Sequence, residues 1–398
     1  MIRSALLTFG LFTACALAGV NSTAFAAPFV PKSDTEVLER LPAKPTDPAI
    51  SQLRELRQRL ATRPDDLTLA VDLADRYYRL AVREGDPRYI GYAQAALAPW
   101  WKQVDPPTSV LVLRAALSQY LHDFDGALKD LTRALARDPD NLAAWSYRSV
   151  IYLVMARYDD ARHDCVELAR RDRGLVASAC LPTVDALTGK AGPAYDSLTE
   201  LLRQNPAATP SQRLWVLTRM AEIAQRLGRP AQAETHYRAA LALGIEDQYL
   251  FTAWAEFLLD LNRPAEVVAL LKDKTRNDVL LLRLALAEAA VGSNAVAAHI
   301  AALQSRIDAA RMREDKLHLS DEALFEMRFR QRPTEAVRLA TENWALAQRE
   351  PADARILLEA ALAARDVKAA APALQWLTDN RHEDPTLNRL AAQLRALP

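Results

Sequence analysis

The sequence predicts an all-α protein built as a row of helix pairs, and three observations predict it. Glycine is scarce: 11 of 398 residues, about 3% against a usual ~7%, which leaves little material for hairpin turns, β-bulges or phosphate-cradling loops. Alanine, leucine and arginine, all strong helix formers, take up the space. A spacing of 34 residues recurs along the chain. Half the residues are hydrophobic and a quarter are charged, an ordinary globular balance that excludes a wholly disordered chain. With 50 Lys+Arg against 50 Asp+Glu, no basic excess exists to neutralise phosphates, which excludes a generally basic nucleic-acid binder.

Residues 1–26 carry one charge, Arg3, before the apolar run SALLTFGLFTACALAGV, and they end in Ala24-Phe25-Ala26. A basic start, an apolar middle and a small-residue exit predict a secretory signal peptide, and with it a periplasmic protein. Two alternatives are an uncleaved anchor, against which Gly10, Gly19, Asn21 and Ser22 count, and a lipid anchor on Cys15. The FTA before Cys15 matches the Leu-small-small lipidation pattern poorly. Nothing later is apolar enough to span a membrane, so no integral segment is expected after cleavage. Residues 27–48 predict a linker, because Pro28, Pro31, Pro42, Pro45 and Pro48 prevent a continuous helix.

Residues 49–398 carry the period. FDGALKDLTRALARDPDN from Phe124 aligns with YDDARHDCVELARRD from Tyr158. GRPAQAETHYRAALALG from Gly228 aligns with NRPAEVVALLKD from Asn262, and QRPTEAVRLATENW from Gln331 with RDVKAAAPALQWL from Arg365. Each pair is 34 residues apart. Within 108–141, Leu111, Ala115 and Ser118 stripe one helix, and Ala127, Leu131 and Ala134 stripe a second that stops at Asp138-Pro139. Small side chains at Ala115 and Ala127 let the two helices approach closely.

This pattern resembles the tetratricopeptide repeat family. In 142–175 the family positions fall on Trp145, Ser149, Tyr152, Tyr158, Ala161, Cys165 and Leu168, with Arg173 where Pro is usual. In 214–247 they fall on Leu217, Ala221, Ala224, Pro230, Ala233, Tyr237 and Ala240. The resemblance covers nearly all of 50–397; it is sharp in 108–175 and 214–271, degenerate in 176–213 and 278–316. It implies an α-solenoid, a right-handed superhelix of about nine helix pairs with a concave groove. Residues 386–397 are expected to cap the end and 49–62 the front.

No catalytic constellation is evident: there is no GxGxxG, GxSxG or HExxH, and TGKAG at 188–192 lacks the rest of a phosphate loop. No two of the six histidines are spaced i,i+4 as a helical metal pair. His163 and Cys165 are two residues apart, about 200° around a helix, a poor arrangement for one metal. Neither a catalytic residue nor a cofactor is expected. Cys165 and Cys180 lie equidistant from the turn at Asp172-Arg173-Gly174, so an antiparallel hairpin sets them level. A disulfide is expected in an oxidising compartment; the alternative is two separate buried thiols.

The family resemblance puts ligands in the groove lined by the first helix of each unit. Carried over position by position, that implies Tyr78 and Arg79 (with Asp75), then Gln119 and Tyr120, then Ser146. In later units it implies Trp215 and Arg226 (with Glu222 and Gln225), then Tyr249 (with Glu256). Many family members hold a peptide carboxylate with Lys and Asn at two of these offsets, which here hold Val112 with Ala116 and Ser146 with Val150. That departure points to an apolar or aromatic peptide or helix as the partner. The resulting expectation is a non-enzymatic periplasmic scaffold or adaptor for an envelope or secreted complex. The alternative is a small-ligand or metal-binding accessory protein, motivated by His163, Cys165 and Cys180. A third class, an enzyme with an unrecognised site directed at peptidoglycan, has no residues to stand on. The partner's identity and the oligomeric state are not legible.

Overall fold

The computed structural model describes Ser33 and residues 48–397; the signal peptide, Cys15 and nearly all of the linker lie outside the described residues. Contacts divide the chain into Met1–Pro48 and Ala49–Pro398, and the helical repeats belong to the second part. Among the described residues there are twenty-one helices and no strand. None of these helices is long and apolar enough to cross a membrane.

Helix α1 (Pro48–Thr62) precedes the first pair, α2 (Leu67–Glu84) with α3 (Arg88–Ala96), and the short α4 (Ala98–Trp101) follows. Next come α5 (Thr108–Tyr120) with α6 (Phe124–Arg137), and α7 (Leu142–Val154) with α8 (Tyr158–Arg171). Then follow α9 (Leu175–Asp185) with α10 (Ala191–Gln204), and α11 (Pro210–Arg226) with α12 (Pro230–Leu241). The row continues through α13 (Gln248–Asp260) with α14 (Pro264–Leu271), and α15 (Asp278–Val291) with α16 (Val296–Met312). It closes with α17 (Leu319–Arg328) and α18 (Pro333–Ala345), α19 (Pro351–Ala364) and α20 (Val367–Asp379), and a final α21 (Pro385–Arg395). The described chain is therefore a solenoid of nine pairs flanked by single helices.

The repeat positions form the seams. Trp145, Ser149, Ala161, Cys165 and Leu168 are buried, as are Leu217, Ala221, Ala224, Ala233, Tyr237 and Ala240. Alanines at the crossings let backbones approach, and aromatic rings fill the space beside them. Helix starts carry side-chain caps, among them Asp123 accepting from Gly126 N and Asn277 accepting from Leu280 N. Proline opens α11, α12, α14, α18, α19 and α21, where its missing N–H costs nothing.

The tight turn inside each pair needs a residue at positive φ. Glycine fills it at Gly189, Gly228 and Gly292. His122, Ala156, Asn262, Gln331 and Arg365 fill the equivalent place elsewhere, with φ between 53° and 60°. A composition poor in glycine thus leaves left-handed strain in several turns.

The solenoid coils tightly enough to touch itself. Asn277 Nδ2 donates to Glu84 O across 193 residues, at 3.2 Å. Ala191 N donates to Glu383 across 192, and His382 Nδ1 lies 3.3 Å from Leu187 O across 195. Arg349 N donates to Val154 O at 2.9 Å. Successive turns of the coil therefore meet after between five and six repeat lengths. Apolar side chains join the same turns, since Tyr158, Cys165, Val184 and Leu187 share one core with helices α17 to α21.

Candidate binding cavity

This coiling narrows the expected open groove into a half-open cavity. A cavity of about 380 Å³ lies between helices α11 and α13 on one side and the first turns of α19 and α21 on the other. On α11, positions i, i+3 and i+7 put Arg219, Glu222 and Arg226 on one face. Helix α13 adds Tyr249, Glu256 and Asp260, and α15 adds Arg283. The opposite wall carries Arg349 and Glu350 from the α18–α19 turn, Arg355 from α19 and Asp384 at the start of α21. Ile223, Phe257, Leu187 and Leu387 supply apolar lining.

Most of these charges are paired. Arg219 meets Glu222 at 3.0 Å and lies 4.4 Å from the centre of the Tyr249 ring. The Tyr249 hydroxyl donates to Glu222. Arg283 holds Glu256 with bonds of 3.0 and 2.5 Å, and reaches Asp321 as well. Arg355 donates to both oxygens of Asp260, at 2.8 and 2.6 Å, across 95 residues and therefore across the middle of the coil. Glu350 and Asp384 cap the N-termini of α19 and α21. Burial raises the Glu350 carboxyl above its ordinary range.

Two arginines stand apart. Among the described residues, neither Arg226 nor Arg349 has a side-chain hydrogen bond or ion pair, and the Nε of each is buried without a partner. Burial lowers the Arg226 pKa, partly countered by Glu222 and Asp384 nearby.

Of the residues implied by the family pattern, Arg226 and Tyr249 meet in this cavity together with Glu222, Gln225 and Glu256. Tyr249 keeps 47% of its surface exposed. Trp215 does not line the cavity; its ring packs, partly buried, against the central core. Tyr78, Tyr120 and Tyr147 gather elsewhere, between α2, α5 and α7: the Tyr78 and Tyr147 rings are 6.3 Å apart, edge to face. Burial there pushes the Tyr120 hydroxyl up to about 12. Beside them Arg79 is bonded to Asp75 at 2.8 Å. Gln119 Oε1 is buried without a partner, and the Ser146 carbonyl accepts from Ser149 Oγ at 2.8 Å within its own helix. Arg219, Arg283, Arg349, Glu350, Arg355 and Asp384 are not marked by the family pattern. Arg219 was within reach, one turn before Glu222 on the same face; the far wall left no periodic trace.

Cys165 and Cys180 are joined, with Cα atoms 5.3 Å apart across the α8–α9 turn. The bond consumes the thiol on which a metal reading would lean, and His163 Nδ1 lies 3.1 Å from Asp164. Among the described residues no cluster of three or more His, Cys, Asp or Glu side chains is placed to hold a metal ion.

No family model and no curated protein matches the sequence. Similar solved structures are tetratricopeptide repeat proteins. One is a tetratricopeptide repeat protein from Parabacteroides merdae, 16% identical, with 60% of this chain and 92% of that one covered and a TM-score of 0.42. Another is the APC/C hetero-tetramer Cut9–Hcn1, 11% identical over 87% of this chain and 52% of that one, also at 0.42. A third is the type IV pilus biogenesis factor PilW, 12% identical over 71% and 97%, at 0.35.

Proposed function

We propose that this protein is a non-enzymatic, periplasmic scaffold that takes an extended polypeptide segment into the half-open cavity of its coil, assisting an envelope or secreted complex. One observation carries the proposal. The first helices of three consecutive repeats turn Arg219, Glu222, Arg226, Tyr249, Glu256 and Arg283 into one solvent-accessible space. An array of identical seams has no structural need for so many polar groups facing inward. Export is supported by the basic start and apolar run of residues 1–26 and by the joined cysteines.

Of the two partners that the sequence left open, a peptide or a helix, the cavity favours an extended peptide segment. A helix with its side chains is about 10–12 Å across, and the Arg355–Asp260 pair that crosses the cavity stands in its way. A photo-crosslinker in place of Ala253, on the cavity wall, tests this in cells. One dominant protein should be captured through a defined segment, and the yield should fall several-fold with Tyr249→Ala. Capture spread over many proteins and indifferent to Tyr249 would defeat it. The same cavity favours a second reading, a small soluble ligand, because ligand pockets span about 300–1,000 Å³. Native mass spectrometry showing a bound species of a few hundred daltons would favour that reading.

A further inference from the structure

Hydrogen bonding in the cavity is lopsided. Every acid in its wall already accepts from a donor: Glu222 from Tyr249, Glu256 from Arg283, Asp260 from Arg355. Glu350 and Asp384 accept from the backbone amides of α19 and α21. The lining atoms that are buried without any partner are all donors, the Nε groups of Arg219, Arg226 and Arg349, and of these only Arg219 is held by an ion pair. A guanidinium carries five N–H groups and cannot shed its charge. In both Arg226 and Arg349 the Nε–H is buried without an acceptor, which is costly unless something else accepts.

One further feature favours a negative occupant. The N-termini of α19 and α21 reach the cavity but are already met by the Glu350 and Asp384 caps. Arg219, by contrast, lies near Arg226 with its Nε buried and unbonded too, which concentrates positive charge on that wall.

We propose that Arg226 and Arg349 form an oxyanion subsite, and that the occupant of the cavity presents a carboxylate or phosphate group to them. The planar fork of each guanidinium suits the paired oxygens of either group. This rests on reading the cavity as the binding site. Its most direct source is an acidic side chain of the bound segment, seated between the two arginines while Tyr249 and Phe257 cover its apolar part. The two arginines come from α11 and from the α18–α19 turn, so the subsite exists only when the coil is closed.

The test uses the purified chain with glutarate, inorganic phosphate or chloride at matched ionic strength, followed by thermal unfolding. Saturating glutarate should raise the melting temperature by about 3 °C over chloride. A rise with phosphate alone would keep the subsite and make a phosphorylated ligand its source. Arg226→Gln and Arg349→Gln should each abolish the rise. Neither should lower the melting temperature of the unliganded protein, since no bond is lost. No anion-specific rise, or a rise that survives both substitutions, would overturn the proposal. Crosslinking at Ala253 is independent of this outcome. A captured segment without an anion effect sinks the oxyanion subsite alone; an anion effect without a captured segment sinks the polypeptide reading alone.

Discussion

Arg148 on α7 holds Asp164 on α8 with two parallel hydrogen bonds, from Nε at 2.7 Å and from Nη2 at 2.8 Å. Thirty-four residues earlier Arg114 holds Asp130 in the same way, at 2.5 and 2.7 Å. The Asp164 side chain is 1% exposed, and the Arg148 guanidinium stacks on Trp145 at 4.9 Å. Two neighbouring repeats are therefore each locked by an equivalent buried Arg–Asp pair. Asp164→Ala would strand the cation and should cost about 3–5 kcal/mol in urea unfolding. Replacing both partners, as Arg148→Met with Asp164→Leu, should recover most of that loss. Equal losses for the single and the double variant would show that the pair itself is not the lock.

Ala156 occupies a left-handed turn position at φ 57°, which an L side chain adopts at a cost of about 1 kcal/mol or more. Ala156→Gly should therefore stabilise the protein by up to about 1 kcal/mol, the opposite of the usual penalty for inserting glycine. Thermal unfolding reads the sign directly.

The Cys165–Cys180 bond closes a loop across 15 residues. In the chain-entropy model such a link contributes about 3 kcal/mol. Native protein should show no reactive thiol from either position, and Cys165→Ala with Cys180→Ala should lose about that much stability. Two titratable thiols in unreduced protein would contradict the pairing.

Burial holds two imidazoles neutral. His122, near His318 and Asp315, is lowered to about 4, and His382, near Arg226, to about 3. Both lie below the unfolded value of about 6.5. The stability they contribute is thus fully present above pH 6.5 and is lost as pH falls toward 4 and below. Asp353 works the other way: burial and the neighbouring Glu350 push it up to about 7, so its contribution is present at low pH and lost as pH rises through 7. His122→Asn, which tolerates the left-handed backbone, should flatten the acid limb of the stability profile. The slope between pH 6.5 and 4 should drop by up to one proton, about 1.4 kcal/mol per pH unit.

Asn277 has two roles: its Oδ1 accepts from Leu280 N at 3.0 Å, and its Nδ2 reaches Glu84 O in the first repeat. Asn277→Ala should cost about 1–2 kcal/mol through the lost cap. It should also speed amide exchange at the end of α2, where Asn277→Asp, which keeps the cap and loses the donor, should act as strongly. Unchanged exchange at α2 would show that the cross-turn bond is not what holds the coil closed.

The helices, their pairing and the cysteine partnership were legible because each is local. An apolar stripe repeats every three or four residues, a unit every 34, and Cys165 faces Cys180 across a single turn. The groove positions of α11 and α13 came from the family resemblance rather than from the period, and Arg226, Glu222 and Tyr249 among them line the cavity. Trp215 shows the limit of that carry-over: the family pattern names a helix face, and packing of the neighbouring helices decides whether a ring there meets the core or the cavity. The buried Arg114–Asp130 and Arg148–Asp164 pairs were equally hidden, because a charged side chain in a repeat looks solvated until its partner helix is in place.

By itself, then, the sequence determined a row of helix pairs, and the family resemblance added which face of each first helix turns inward. Only the tertiary structure decided the pitch of the coil. Each repeat rotates slightly on the one before it, and the small rotations add up until contact is made some 193 residues later. No single repeat encodes that sum. Arg349, Arg355 and Asp384 come to face α11 and α13 because of it, narrowing an open groove into a cavity with two unbonded arginines.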